Sequence, residues 1–455
     1  MKKILFVVAA VASMVFTACN KEEFSVSENA PVGTIEFTAS FDAETKTTLN
    51  NGKTEWVEGD EISINGVKFT ANESGASVKF TNAETPQGEF KAPFTAVYPY
   101  SKTLPSEQTV SDGTFADESV VSVAYIEGKG SNNLTFKHVS SVIKFQVAND
   151  VNSEIVFESS ENLAGILGVN NDATYSVSDP SKTITVKHTS GTFKAGETYY
   201  VSVLPTRDET KVDFCAKVED VIVKSGKVAL KRNTIMDAKT IEVKYVHLKP
   251  NSNWKDANAR FAARFFVGEK SESWVGMGDT DKDGIYSCVI PEGYTDVIFC
   301  RMNGSTTENN WDNRWNQTND LKLPTDSKTC YVVHIEEWSY GKGDWFTNDD
   351  AKNLLYLLPT SEWDKDNARF AAYFFGNGEK WVSMTKFTTN KYYVVKPTGY
   401  NNVIFCRMNG SATANNWNNK WNQTKDLTVP TSGNNTCTIS NFWNNTGATG
   451  TWSTK

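Results

Sequence analysis

Histidine is scarce in this 455-residue chain: there are four, too scattered to give the short spacings of a zinc site. No Gly-rich loop follows a strand-like run, so the backbone cradle that holds a nucleotide phosphate is missing. No serine or cysteine sits in a nucleophile-elbow motif, which removes that route to acyl transfer. Basic clusters are lacking too. With 46 Lys+Arg against 54 Asp+Glu, and a formal net charge of −8, nothing offsets the phosphates of nucleic acid or of an anionic lipid surface. Tryptophan is almost absent from the first half. Only Trp56 of 13 precedes residue 246, and the other 12 fall in the last 210 residues. The two halves therefore carry different tasks.

Met1-Lys2-Lys3 and the apolar run Ile4 to Phe16 make a positively charged start and a hydrophobic stretch too short to span a bilayer, which predicts a signal peptide over 1–18. Phe16-Thr17-Ala18-Cys19 resembles the lipobox of bacterial lipoproteins. That resemblance implies a diacylated Cys19 and a tether over 19–32. Asn20-Lys21-Glu22-Glu23 resembles the signal with which Bacteroidetes send lipoproteins outward, implying an outer-membrane, cell-surface protein held by acyl chains. No later stretch is long and apolar enough to cross a membrane.

Residues 33–245 hold period-2 and β-branched runs, among them Thr34 to Thr38, Val142 to Val147 and Tyr199 to Leu204, parted by Asn-Gly, Ser-Gly and Asp-Gly turns. The pattern predicts two β-sandwiches, 33–148 and 149–245, dividing near Asn149 to Asn152. Thr45-Lys-Thr-Thr with Trp56-Val-Glu-Gly-Asp-Glu-Ile, then Phe136-Lys-His138, Tyr199 to Pro205 and Arg232-Asn233, resembles the fimbrillin-like (Mfa-like) domains of Bacteroidetes surface proteins. That family serves in pilus subunits and in surface lipoproteins, so it implies a location more than an activity. His138, a lone histidine beside a strand, is read as structural.

Residues 246–347 and 353–455 are two copies of one unit of about 105 residues. Trp254 to Phe266 recurs as Trp363 to Phe375, Val297 to Ser305 recurs unchanged as Val403 to Ser411, and Trp315-Asn-Gln-Thr318 recurs as Trp421 to Thr424. Each unit is large enough to hold its own core as a small antiparallel sandwich. Aromatics and amides persist between the copies while acids drift: Asp312 is replaced by Asn418, and the charges kept are Glu269 with Glu379 and Asp320 with Asp426. Glycoside hydrolysis needs two placed carboxylates, and the repeat carries no such pair, so no enzyme is expected. The composition suits sugar binding instead. Flat rings pack on the C–H face of a pyranose, while Asn, Gln and Arg serve the hydroxyl edge.

An aromatic strand (Phe261 to Phe266; Phe370 to Phe375), a Trp a few residues on, a strand ending Phe-Cys-Arg-Met-Asn and then Asn-Asn-Trp-Asp/Asn-Asn together resemble the starch-binding modules of carbohydrate-binding families 25 and 26. Carried over, the platform is Trp274 with Phe266 or Arg264 in the first copy, and Trp381 with Tyr373 or Phe375 in the second. The polar partners are Arg301, Asn310 and Gln317, then Arg407, Asn416 and Gln423. Arg264 stands where the second copy has Tyr373, and a guanidinium covers less of a sugar than a ring. On a strand, Arg260, Ala262, Arg264 and Phe266 share one face, and Phe261, Ala263 and Phe265 share the other, taken as core. For Trp311, Trp315, Trp417 and Trp421, burial and sugar contact both stay open, and Trp311 and Trp417 join the candidate site. Trp274 and Trp381 are placed in a loop; Trp254, Trp363, Trp338 and Trp443 are placed in the scaffold.

Asp279-Thr-Asp281-Lys-Asp283-Gly284 matches the first half of a calcium loop. Ile290 stands where the closing Glu belongs, so a hairpin turn is expected and no metal or other cofactor. Cys300 and Cys330 fall where Cys406 and Cys437 do. One disulfide per module and buried thiols both fit. The expectation is an all-β, multidomain chain: two fimbrillin-like sandwiches, then two carbohydrate-binding modules. Its function is that of a non-catalytic surface lipoprotein binding starch or a related α-glucan. Its partners are that polysaccharide, the outer membrane through the anchor and, by the resemblance, other starch-utilisation proteins, with no nucleic acid. The alternative is a fimbrial or adhesin-type protein binding host glycans or other subunits.

Overall fold

The computed structural model describes residues 35–42, 55–82, 86, 90–113, 121–128, 130–170, 174–268, 271–334, 340–431, 433, 435–440 and 447–454. The signal peptide, Cys19, Asn20 to Glu23, Thr45 to Thr48, Glu269, Trp338 and Trp443 lie outside the described residues. The chain is all-β and multidomain. It divides into two compact units, residues 1–216 with 225–241, and residues 217–224 with 242–455.

In the first unit, the strand Glu36–Phe41 turns Phe37, Ala39 and Phe41 inward, and Asn133–His138 does the same with Leu134, Phe136 and His138. These two strands pair in parallel. That pairing closes seven strands into a barrel, which leaves neither strand as an open edge. Trp56 fills the interior: it stacks on Phe41 at 4.3 Å, and its indole N–H donates to the Ala39 carbonyl at 2.9 Å. His138 is buried with Nδ1 2.6 Å from the Ser122 hydroxyl. Burial, then the Arg232 charge, lower its pKa to about 4.

Strand pairing crosses the division expected near Asn149 to Asn152. Ser141–Val147 pairs with Thr198–Val203 and with Ile235–Ile241. The earlier strand Glu107–Val110 runs parallel to Thr183–His188, and Thr103–Leu104 pairs with Ala164–Val169. Residues 103–110 are thus shared out to later sheets, which local patterning does not reveal.

In the second unit the two repeats share one topology, to which the second adds the strand Thr385–Thr388. In the first, Tyr286–Val289, Tyr245–Lys249, Cys330–Val333 and Gly343–Phe346 form one sheet. Ser271–Met277, Arg260–Val267, Asp296–Met302 and Arg314–Gln317 form the other, with Leu321–Lys322 at its side. The second repeat mirrors this with Thr385–Thr388, Lys391–Val395, Leu354–Leu358, Thr436–Ile439 and Gly450–Ser453, facing Glu379–Ser383, Arg369–Phe375, Asn402–Met408 and Lys420–Gln423. The cores lie between the sheets: Phe261, Phe265, Phe299, Leu248 and Tyr331 in the first, Phe370, Phe374, Phe405, Leu357 and Tyr392 in the second. Trp254 and Trp363 are buried in these cores, as expected.

The two repeats also pack on one another. Cys330, Val332 and Phe346 point away from the first core and meet Leu354 and Tyr356, which point away from the second. Across this seam the His334 ring lies 5.3 Å from Tyr393 and 3.8 Å from Phe387, and Lys249 Nζ donates to the Ala351 carbonyl at 2.6 Å. Ala351 belongs to the connecting helix Asn348–Lys352, which Thr347 caps by accepting from the Asp350 N–H at 3.0 Å. The connection is therefore part of the packing.

The cysteines resolve toward buried thiols. Cys300 packs on the outer face of one sheet with Ala262, Ile298 and Met302, whereas Cys330 packs in the seam between repeats. Cys406 and Cys437 are likewise in separate clusters. All four are free, and burial pushes each thiol up to about 12. A shared position in the repeat does not put the two sulfurs on one face of the sandwich.

Candidate functional site

The strand Arg260–Val267 turns Phe261, Ala263 and Phe265 into the core, which leaves Ala262, Arg264 and Phe266 on the opposite face. Trp274 stands directly across from Arg264 on the neighbouring strand. The structure thus moves Trp274 and Trp381 from the expected loop onto strands, Ser271–Met277 and Glu379–Ser383. Packing against the sheet holds each indole: Trp274, with Phe266, on the cluster of Ala262, Ile298, Cys300 and Met302, and Trp381, with Phe375, on that of Ala371, Tyr373, Ile404, Cys406 and Met408.

In the first module Trp311 meets Trp274 edge-on at 4.9 Å. The Arg264 guanidinium lies 4.8 Å from the Trp311 ring and 5.0 Å from the Phe266 ring, and Arg314 covers Trp311 at 5.0 Å. Arg264 is fixed from the other side by Glu272 at 2.7 Å. Gln317 pairs with Cys300 in register, so it shares this face, and its amide oxygen accepts from Arg314. Five of the residues expected here, Arg264, Phe266, Trp274, Trp311 and Gln317, come together.

The second module repeats the arrangement with an additional ring. Tyr373 lies 5.0 Å from Trp381, 4.7 Å from Trp417 and 5.8 Å from Phe375, and Trp381 and Trp417 are 4.8 Å apart. Lys420 covers Trp417 at 5.0 Å and donates to the Gln423 amide oxygen. Tyr373 is largely buried beneath these rings, and burial followed by the Glu379 carboxylate pushes its phenol up. Tyr373 is therefore a support, and the open surface belongs to Trp417, with Trp381 and Phe375 half-buried.

Glu272 stands opposite Phe266 as Glu379 stands opposite Phe375. The register thus pairs Glu379 with Glu272 rather than with Glu269. Five residues separate Phe266 from Glu272 and three separate Phe375 from Glu379, so the first hairpin is longer by two.

Arg301 and Arg407 do not join the faces. Val297, Phe299 and Arg301 alternate onto the core side, opposite Phe265, Ala263 and Phe261. Arg301 is buried and donates to the carbonyls of Trp254 at 2.8 Å and Asp256 at 2.7 Å. Arg407 repeats this on Trp363 and Lys365, both at 2.8 Å, and also bonds Asp366. They clamp the turn that opens each module, and these N–H groups are engaged there. Asn310 and Asn416 also work locally, accepting from the N–H of Asn313 at 3.0 Å and of Asn419 at 2.9 Å.

The sequence does not show the role of Arg260 and Arg369, and it leaves Trp315 and Trp421 open between burial and sugar contact. Arg260 and Arg369 carry the loops that bear Trp311 and Trp417. Arg260 donates to the carbonyls of Thr306 and Glu308 and to the Asn309 side chain, and Arg369 to those of Ala412 and Ala414 and to Asn415. Trp315 and Trp421 remain 43% and 44% exposed, as open as Trp311 at 39% and Trp417 at 43%. Each lies against a clamp arginine, 4.7 Å from Arg301 and 4.8 Å from Arg407. Their recurrence in both copies was the available signal.

Asp279 to Gly284 forms a turn in which Asp279 and Asp283 are turned onto the backbone. Asp279 accepts from the N–H groups of Asp283 and Gly284, both at 3.1 Å, Asp283 from that of Ile285 at 2.9 Å, and Lys352 sits 2.9 Å from Asp283. Among the described residues no group of three His, Cys, Asp or Glu side chains gathers as metal ligands would.

No protein-family model matches the sequence, and no curated protein matches it significantly. Solved structures that resemble it include a fimbrial protein from Bacteroides ovatus, at 14% identity, 45% of this chain, 48% of the other and a TM-score of 0.22. The match spans about half the length of that protein. A cell adhesion protein from Bacteroides fragilis matches at 10% identity over 56% of this chain and 93% of the other, with a TM-score of 0.22. A fimbrial assembly protein from Parabacteroides distasonis matches at 8% identity over 57% of this chain and 99% of the other, with a TM-score of 0.23. The likeness carries no ligand or activity with it.

Proposed function

We propose that the protein is a non-catalytic, carbohydrate-binding protein of the cell surface, whose two tandem modules take starch or a related α-glucan on their outer aromatic faces. The observation that carries this is the recurrence of one constellation at one register. An exposed indole (Trp311; Trp417) stands against a second indole (Trp274; Trp381), beside a cation and an amide (Arg314 with Gln317; Lys420 with Gln423). Rings supply contact to a pyranose face at low entropy cost, and the amides and cations reach the hydroxyls. The α-glucan assignment comes from the resemblance to families 25 and 26. The surface anchor comes from the lipobox around Cys19, and the absence of catalysis from the drift of acids between the copies.

A fimbrial or adhesin-type protein offering the same faces to host glycans or other subunits is the second reading. The solved structures above are described in those terms, and both readings share a cell-surface protein. Calorimetry with maltoheptaose and pull-down on insoluble starch, with cellulose and a panel of host-type glycans as comparisons, separates them. Binding to α-glucan that falls with Trp311→Ala and Trp417→Ala supports the first reading. Capture of a host glycan without any α-glucan binding establishes the second.

A further inference from the structure

The packing of the two modules decides how their faces can be used. Each module has two layers. In the first, the strands Arg260–Val267 and Asp296–Met302 turn Phe261, Phe265 and Phe299 toward the strands Tyr245–Lys249 and Cys330–Val333, and turn Arg264, Trp274 and Cys300 away from them. In the second, Arg369–Phe375 and Asn402–Met408 turn Phe370, Phe374 and Phe405 toward Leu354–Leu358, and Tyr373, Trp381 and Cys406 away. The inner layers meet directly, Cys330, Val332 and Phe346 against Leu354 and Tyr356. The order of layers is therefore aromatic sheet, inner sheet, inner sheet, aromatic sheet. The two aromatic faces look out from opposite ends of this stack, three sheet-to-sheet steps of about 10 Å apart.

The stack is built to hold. The seam is closed by His334 among Phe346, Tyr393 and Phe387, by the Lys249 bond to Ala351 and by the Lys352–Asp283 ion pair at 2.9 Å. The connecting helix lies in that seam, so it cannot act as a hinge that swings one face round to the other's side.

We infer that the protein bridges two separate glycan strands, one on each face, rather than gripping a single strand with both. This rests on the carbohydrate-binding reading above. A short glucan lying along one face is turned away from the other, so the two sites do not add their strengths on one chain. The increase of about 10²–10⁴ that linked sites can give on one polymer is not expected here. Bridging of two surfaces or two polymer strands is expected instead.

The test uses the full chain and its Trp311→Ala and Trp417→Ala variants, each of which alters one exposed ring and leaves the core untouched. Beads coated with maltoheptaose are mixed with each protein, and clustering is followed by light scattering while bead-bound protein is measured in parallel. The expected result is that the native chain clusters the beads, and that each single variant still binds them through its remaining face but gives no clusters. In a second arm, affinity for isolated amylose strands at limiting protein is compared with affinity for maltoheptaose. Native and single-variant proteins should agree within a few-fold once the number of sites is counted. Binding without clustering, clustering by the single variants equal to the native chain, or amylose binding by the native chain about 100-fold tighter than by either variant overturns the bridging inference alone. Absence of maltoheptaose binding by the native chain overturns the α-glucan reading and this inference with it.

Discussion

The two modules share a scaffold and differ where they meet solvent. The clamp is duplicated: Arg301 on Trp254 and Asp256, Arg407 on Trp363 and Lys365. So is the tight approach of Gly304 to Asn258 and of Gly410 to Asn367, where a Cβ would lie 1.6 Å and 1.7 Å from the facing carbonyl oxygen. The unchanged run Val297 to Ser305 is thus a record of folding demands. The faces diverge above it. Arg264, paired to Glu272, stands in the first where Tyr373 stands beneath three rings in the second. Identity between the repeats covers both the frame and the exposed rings Trp311 and Trp417, and the variation between Arg264 and Tyr373 marks where the two faces differ.

The sharpest way to break this comparison is to attack the frame. Gly304→Ala forces a methyl into the Asn258 carbonyl, a backbone atom that cannot yield cheaply. The expected cost is about 3 kcal/mol or more of unfolding free energy, read by chemical denaturation. An unchanged midpoint would show that the recurring motif is not a folding demand.

Acid should separate the modules next. His247 and His334 both belong to the first, and the second has no histidine. Burial lowers His247 to about 4 from 6.5, and lowers His334 as well despite Asp344 beside it. As pH falls below 6.5 the unfolded chain binds a proton that the folded chain refuses. Stability present above pH 6.5 is therefore lost between 6.5 and about 4, by about 2–3 kcal/mol from His247 after allowing for its residual exposure. Hydrogen exchange should rise on Tyr245–Lys249 before it rises on Leu354–Leu358; a simultaneous rise would remove the distinction.

Much of this architecture is legible in the order of residues alone. The repeat, its core positions and the all-β class follow from alternation along strands such as Arg260–Val267. The clamp role of Arg301 is legible too, since it continues the alternation of Val297 and Phe299 onto the core side. A reading by residue type, which takes an arginine near tryptophans for a ligand contact, overrides that period. Other features depend on pairings distant in the chain: the barrel closed by Glu36–Phe41 on Asn133–His138, the strands 103–110 lent to later sheets, and Cys300 and Cys330 on different faces. The burial of Tyr373 beneath Trp417 likewise needs the loop that Arg369 fixes.

On the faces themselves the effects should be smaller. Trp417→Ala removes the open ring that stands on Tyr373 and Trp381, with an expected loss of about 2 kcal/mol, or about 30-fold, in maltoheptaose affinity there. Unchanged affinity would shift attention to Trp421. Converting the first face toward the second with Arg264→Tyr should tighten it by about 1 kcal/mol, roughly fivefold, in the same titration. A weaker face would mean that the Arg264–Glu272 pair is itself used by the ligand. Smallest of all, a reductant should leave the thermal midpoint of both modules unmoved, because Cys300, Cys330, Cys406 and Cys437 are free; a drop would reveal a disulfide.

The most direct measurement is calorimetric titration of the full chain with maltoheptaose, beside Trp311→Ala, Trp417→Ala and the double variant. The account predicts one ligand on each face of the native chain, one face at native affinity in either single variant, and both faces weakened about 30-fold in the double. Native affinity that survives the double substitution, or no binding by the native chain, would contradict it.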